Sequence, residues 1–151
     1  WLLEQSVQYA NDRVQFGKPI GRNQALQQQL ALLAGEVAAA RMAAIIAARD
    51  TPSAGARGCD ATVFSAAAAK VRCGEAATRG TAIAHQVHGA IGFTYEHRLH
   101  FATRRLWTWR EEFGTDAWWA ERLGEAAIAA GSQRFWASLT NRRFDDGIRV
   151  A

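Results

Sequence analysis

Apolar side chains at Leu3, Val7, Ala10 and Val14 fall on one helical face of "WLLEQSVQYANDRVQF", so the chain is expected to open in a helix. That helix should end near Gly17, because Pro19 has no backbone donor and disfavours helical geometry at Lys18. No capping residue precedes it, and the expectation is a piece of a longer polypeptide that starts inside a helix. From Asn23, a candidate N-cap, the positions Leu26, Leu30, Leu33, Val37, Ala40 and Ala44 alternate steps of four and three as far as about Arg49.

"DTPSAGARGCD" collects turn-forming residues and predicts a loop, with Asp60 as a cap for a third helix that runs to about His88. The inward stripe of that helix is expected at Ala66, Ala69, Cys73, Ala76, Gly80, Ile83 and Val87, small enough for a neighbour to approach closely. "YEHRLHFATRRLWTWREEF" reads as a fourth helix and "TDAWWAERLGEAAIAA" as a fifth, capped by Thr115 or Asp116, before a short helix and a tail. The sum is an all-α domain over residues 1–151, an up-down four-helix bundle with extra C-terminal helical turns.

Composition supports helices over strands, with 49% hydrophobic residues and only two prolines. The formal charge of +4 comes from scattered arginines, and the densest cluster, "NRRF", is too short for a stripe that follows a nucleic-acid groove. No nucleic-acid partner is expected. The charge suits a phosphorylated or carboxylated small molecule. Cys59 and Cys73 form neither a Cys-x-x-Cys pair nor a disulfide framework, which fits a reducing cytoplasm. The most apolar stretch, "AAARMAAIIAAR", is interrupted by Arg41, and no membrane span is expected.

Four histidines crowd "HQVHGAIGFTYEHRLH". His85 and His88 are three apart, as are His97 and His100, a spacing that could converge on a metal, yet no Glu has a His three residues after it as a di-iron bundle requires. Metal is not expected. Gly89, Ala90 and Gly92 between two helices permit positive φ and leave backbone N–H groups open to a ligand, or else form a tight turn.

"YANDRVQFGKPIGRNQALQQQLA" and "HQVHGAIGFTYEH" resemble, in order, the two signature segments of the C-terminal helical domain of acyl-CoA dehydrogenases, and the resemblance covers about residues 1 to 128. It implies a flavoprotein that dehydrogenates an acyl-CoA thioester, with FAD shared across a homodimer or tetramer interface. Arg13 would then hold the FAD pyrophosphate, a task suited to a planar guanidinium, while Phe16 and Gln24 would lie at the adenosine end. Gln86, Gly89 and Ala90 would flank the pyrophosphate, with Ala90 standing where the family usually has a second glycine, and Thr115 would match a cofactor-contacting threonine. Trp107, Trp109, Trp118 and Trp119 suit an oligomer interface.

The resemblance also exposes a gap. Many members carry the catalytic glutamate directly before Gly-Thr, where "REEFGTDAW" has Phe113, a side chain that cannot accept a proton. Glu111 and Glu112 are each offset along the helix. Two explanations stand open: a base that precedes Trp1, or a non-catalytic subunit whose heteromeric partner supplies it. A helical interaction module without flavin is the rival from another class.

Overall fold

The computed structural model describes residues 1–52 and 60–141. Among these residues six α-helices follow one another: α1 (Leu2–Asp12), α2 (Gln24–Asp50), α3 (Asp60–His88), α4 (Leu99–Glu111), α5 (Asp116–Ala130) and α6 (Ser132–Asn141). The fold is an all-α helical bundle, as the periodicity predicts. Most of the expected loop at "DTPSAGARGCD" and the expected C-terminal tail, with the arginines of "NRRF", lie outside the described residues.

Helix α1 stops five residues before the expected end. Gly17 is instead the second tip residue of a two-strand hairpin, β1 (Val14–Gln15) and β2 (Lys18–Pro19), paired antiparallel with Val14 opposite Pro19. Phe16 (φ 52) and Gly17 (φ 78) both take left-handed geometry, as a two-residue hairpin loop with primed-turn twist requires. The expected apolar face of α1 is also rotated: Ser6 and Ala10 are buried, whereas Val7 and Val14 are exposed.

The caps follow side-chain chemistry. Asn23 Oδ1 accepts the Ala25 N–H at 3.1 Å and starts α2, and His97 Nδ1 accepts the Leu99 N–H at 3.2 Å and starts α4. The fourth helix therefore begins four residues later than the apolar pattern suggests, leaving Tyr95 exposed.

Helices α2 and α3 run antiparallel. Glu36 pairs with Arg79 at 3.0 Å, the Cys73 thiol faces the Ala40 carbonyl at 3.7 Å, and Ser65 and Thr62 bond to Asp50. Of the stripe expected on α2, Leu33 is buried, and Val37 and Ala44 are exposed. By length and composition alone α2 is long and apolar enough to cross a membrane, with a mean hydropathy of 1.8 over its best window. Arg41 does not prevent this, because one arginine among so many Ala, Leu and Ile residues lowers the average only slightly.

The chain divides into two compact units, residues 1–39 with 75–111 and residues 40–74 with 112–151. In the first, Leu33 and Leu99 are the largest fully buried side chains, and Leu33 Cδ1 would lie 3.2 Å from a Cβ at Gly80. In the second, Phe64, Ala67 and Ala126 form the core, with Leu123, Leu139 and Trp119 against it and Phe135 meeting Phe64 edge-on at 5.9 Å. The buried stripe of α3 is wider than expected and shifted: Ala66 is exposed, and Ala67, Gly74, Thr81 and His88 recur every seven residues among the buried positions. Phe64 explains the shift at the N-terminal end, since seating its ring turns the helix toward Ala67.

Small residues on α3 and α2 have opposite roles, and substitution should separate them. A Cβ at Gly74 would meet Asp116 Cβ at 2.6 Å, whereas nothing lies within 4 Å of one at Gly35. Gly74→Ala should destabilise by about 1–3 kcal/mol through overpacking. Gly35→Ala should stabilise by about 0.5–1 kcal/mol through helix propensity. Urea unfolding of the two variants should show midpoints moved in opposite directions.

Candidate functional site

Arg13 is the C-cap of α1 and directly precedes β1. Its N–H donates to Tyr9 O at 2.9 Å, and its carbonyl accepts the Ile20 N–H at 2.8 Å, so the backbone is held from both sides while the guanidinium stays exposed. Phe16, at the hairpin tip, is fully exposed in a conformation that bulky residues avoid.

The second segment reaches the same place from the other end of the first unit. Helix α3 terminates at His88, and Gly89 continues with φ +62 into a 3-10 turn, Gly89–Phe93. Nothing lies within 4 Å of a Cβ built at Gly89, so backbone geometry, rather than lack of room, calls for glycine there. Gly92 is different: a Cβ would meet Leu99 Cδ2 at 2.8 Å, which makes it a packing glycine and not one of the open backbone positions expected from the sequence.

Between these segments lies a cleft of about 960 Å³. Arg13, Phe16, Gln86, Gly89 and Ala90 all line it, and so do Lys18 and Asn23. No carboxylate occurs among its described lining residues. The first turn of α2 adds the positive end of a helix macrodipole, and the last turn of α3 adds a negative end. These offset each other, so the positive character rests on Arg13 and Lys18. An anionic, nucleotide-sized group fits such a lining.

Two of the residues singled out from the sequence stand apart. Gln24 lies between the lining residues Asn23 and Ala25 but does not itself line the cleft. Thr115 belongs to the second compact unit, where its Oγ1 accepts the Trp118 N–H at 3.1 Å and caps α5. Trp119 packs on the second core and donates through Nε1 to Phe113 O at 3.0 Å, whereas Trp107, Trp109 and Trp118 are exposed, each with an arginine over its ring.

Phe113 also has left-handed geometry (φ 59) and is 91% exposed. Lys70 Nζ donates to the Glu112 carbonyl at 2.5 Å, and Gly114 (φ 92) leaves no room for a Cβ beside Trp119 Nε1, at 3.0 Å. Glu111 and Glu112 are both exposed.

The histidines have more defined roles than the sequence suggests. His88 is 3% exposed, its Nδ1–H donates to Ala84 O at 2.8 Å, and its ring stacks on Tyr9 at 4.5 Å. His85 Nε2 lies 3.0 Å from Thr103 Oγ1, and His100 Nδ1 donates to His97 O at 2.9 Å. Burial is the main cause that holds both His85 and His88 below the usual imidazole pKa, with the charges of His100 acting on the first and of His97 and His85 on the second. Among the described residues, no group of three or more His, Cys, Asp or Glu is placed to share a metal ion. Of these, only His88 lines the cleft; its burial was not readable from a face dominated by alanines.

Comparison with known proteins places the chain. The acyl-CoA dehydrogenase C-terminal domain matches residues 1–131, and the chain belongs to that family. It is 39% identical over 103 residues to the acyl-CoA dehydrogenase IpdE2 of Mycobacterium tuberculosis, covering 68% of this chain and 29% of that protein. The 3-sulfinopropanoyl-CoA desulfinase of Paraburkholderia xenovorans is 40% identical over 91 residues, 58% of this chain and 21% of that one. A solved structure, the ChsE4-ChsE5 complex of Mycobacterium tuberculosis, superposes with a TM-score of 0.76 at 26% identity, covering 86% of this chain and 34% of the matched one. The chain thus spans about a third or less of the length of these relatives.

The Thr115 hydroxyl gives a measurable check on its structural role. Thr115→Ala should cost about 1 kcal/mol in chemical denaturation, the scale of a lost N-cap, and Thr115→Ser should restore most of it.

Proposed function

We propose that this chain is the C-terminal helical domain of an FAD-dependent acyl-CoA dehydrogenase, contributing FAD contacts and an oligomer interface for α,β-dehydrogenation of an acyl-CoA thioester. One observation carries the reading: two segments some seventy residues apart bring Arg13, Phe16, Gln86, Gly89 and Ala90 to one cleft with no carboxylate among its described lining residues. Arg13 offers charge-assisted hydrogen bonds to a pyrophosphate, and the open backbone at Gly89 lets a phosphate approach without a side chain in the way. Gln86 and Ala90 flank that approach. Phe16 presents a free aromatic face that suits an adenosine group, with Gln24 beside it at the start of α2. Bound flavin supplies the hydride acceptor. The residues of this chain bind and orient its nucleotide end, and Thr115 is retained as a further contact through the hydroxyl proton that its cap does not use.

The desulfinase among the relatives shows why family membership does not by itself fix the reaction. Dehydrogenation needs a base at the substrate α-carbon, and the position before Gly114 and Thr115 holds Phe113. The second reading is therefore a subunit of a heteromeric dehydrogenase, supported by Phe113 and by the likeness to one chain of the two-protein ChsE4-ChsE5 complex. In either reading the partners are an acyl-CoA and other subunits, which the exposed Trp107, Trp109 and Trp118 are suited to meet, and the location is cytoplasmic.

Two measurements test this. In the full-length protein, Arg13→Ala should weaken FAD retention by about 2–3 kcal/mol, the scale of a hydrogen bond to a charged group, read as flavin fluorescence released on dilution. Unchanged retention would remove the cleft as the flavin site. Where a base already stands elsewhere in the full-length protein, Phe113→Glu should not raise acyl-CoA-dependent reduction of an electron acceptor, because a carboxylate at this exposed position is solvated rather than held against a substrate α-carbon. A gain in turnover would show that position 113 is the missing base after all.

A further inference from the structure

We infer that His88 is the positioning residue of the cleft, a neutral imidazole wedged between Tyr9 and the last turn of α3, and that its protonation releases the backbone of residues 86–90 and with it a pyrophosphate-bearing ligand. The inference rests on the reading of the cleft as a flavin-nucleotide site.

The geometry fixes the tautomer. A carbonyl cannot donate, so the 2.8 Å contact with Ala84 O places the proton on Nδ1 and leaves a lone pair on Nε2. That Nε2 is buried and has no hydrogen-bond partner. A proton added there meets no acceptor, and an unsatisfied buried donor that also carries charge is among the costlier groups in a folded chain.

The surroundings sharpen the effect. From α1 the Tyr9 ring stacks on His88, and from the turn before α4 the His97 ring lies 4.8 Å away, tilted by 56°. On its own helix His85 is one turn back, and Arg13 and Lys18 line the same cleft. Every charge among these is positive. Two effects favour the cation, the Ala84 carbonyl and the Tyr9 ring face, but burial is the largest influence and His97 and His85 add to it, so the net displacement is downward from 6.5.

The sign of the pH dependence follows. Between the lowered folded value and about 6.5 the unfolded chain takes up a proton that the folded chain refuses. The stabilisation is complete above about pH 6.5 and is lost as pH falls from there toward the folded value. His85, displaced in the same direction by burial and by His100, adds to the loss.

His88 is one residue from Gly89 and two from Gln86 and Ala90, so strain at its ring is delivered directly to the backbone that faces the ligand. The test uses the full-length flavoprotein. FAD affinity and melting temperature are measured from about pH 8 to pH 5 for the wild type and for His88→Phe, which keeps a ring against Tyr9 and cannot titrate. The affinity of each protein near pH 8 serves as its own reference, so that only the change toward pH 5 is compared. Toward pH 5 the wild type should lose affinity several-fold, one proton limiting the loss to about tenfold per pH unit, while His88→Phe should stay nearly flat. Parallel losses would overturn the proposal.

Binding of FAD by neither protein at any pH would refute the cleft reading instead. The melting profiles would then decide for His88: a smaller acid drop in the variant supports it, and equal drops overturn it. Should His88→Phe fail to fold, His97→Asn preserves an acceptor for the Leu99 N–H and removes one charge acting on His88. It should move the acid midpoint of flavin release to higher pH, and an unmoved midpoint would equally overturn the proposal.

Discussion

Close approach along α3 is the constraint on which the rest depends. Where Gly80 faces Leu33 in one compact unit, and where Gly74 faces Asp116 in the other, the space for a Cβ is already taken by a neighbour. A helix with so little side chain at these points gains its stability from backbone-distance packing and from dispersion over many small contacts, not from a few large residues. Such packing tolerates little rotation of α3. His88, 3% exposed, is the last position held by the stripe, and the left-handed Gly89 follows at once.

The cleft inherits its shape from two turns of opposite economy. At Gly89 the left-handed conformation falls on the residue that adopts it without penalty. In the hairpin it falls on Phe16 as well as Gly17, and a phenylalanine there is disfavoured by an amount on the order of 1–3 kcal/mol. The hydrogen bond from Ile20 to the Arg13 carbonyl closes the base of that hairpin, and Gly21 lies against the backbone of Ala10 with a would-be Cβ 3.0 Å from its oxygen. The tip is thus held in its strained form by contacts that never touch the Phe16 side chain. The strain at Phe16 belongs to the primed turn itself, which needs left-handed geometry at both tip residues.

Periodicity and caps made the helices legible: Asn23 and Thr115 each cap a start, Asp60 lies in the first turn of α3, and that helix ends at the residue before Gly89. The failures have physical causes. The hairpin was hidden because Leu3, Val7, Ala10 and Val14 continue a helical spacing across residues that turn out extended, and "FG" is a weaker turn signal than the Asn-Gly that such loops favour. On α3 the expected Ala69, Gly80 and Val87 are buried, but Ala66 is exposed and the burial of Ala67, Gly74, Thr81 and His88 was missed, because a run of alanines gives every face a similar hydropathy. Arg13, Phe16 and Gln86 were reached through family resemblance, not spacing, whereas Gly89 and Ala90 already stood out as small residues between two helices. The role of His88 was invisible because burial of a histidine depends on partners from α1 and from the turn before α4.

The loop at Phe113 shows how a fold can keep the outline of a reactive position without its chemistry. Lys70 holds the Glu112 carbonyl, Trp119 holds the Phe113 carbonyl, Gly114 supplies the space under Trp119, and Thr115 caps α5. All of these contacts use backbone atoms of residues 112–114 or the side chain of Thr115, and none uses the side chain at 113, which is 91% exposed. The shape of the loop is therefore independent of whether that side chain can accept a proton. Its backbone is over-determined enough to hold a bulky residue at φ 59, so an ionisable or an apolar group would be presented in the same direction. The cleft between Arg13 and Gly89 is built the other way round, because there an exposed guanidinium and an open left-handed backbone, rather than buried supports, form the lining.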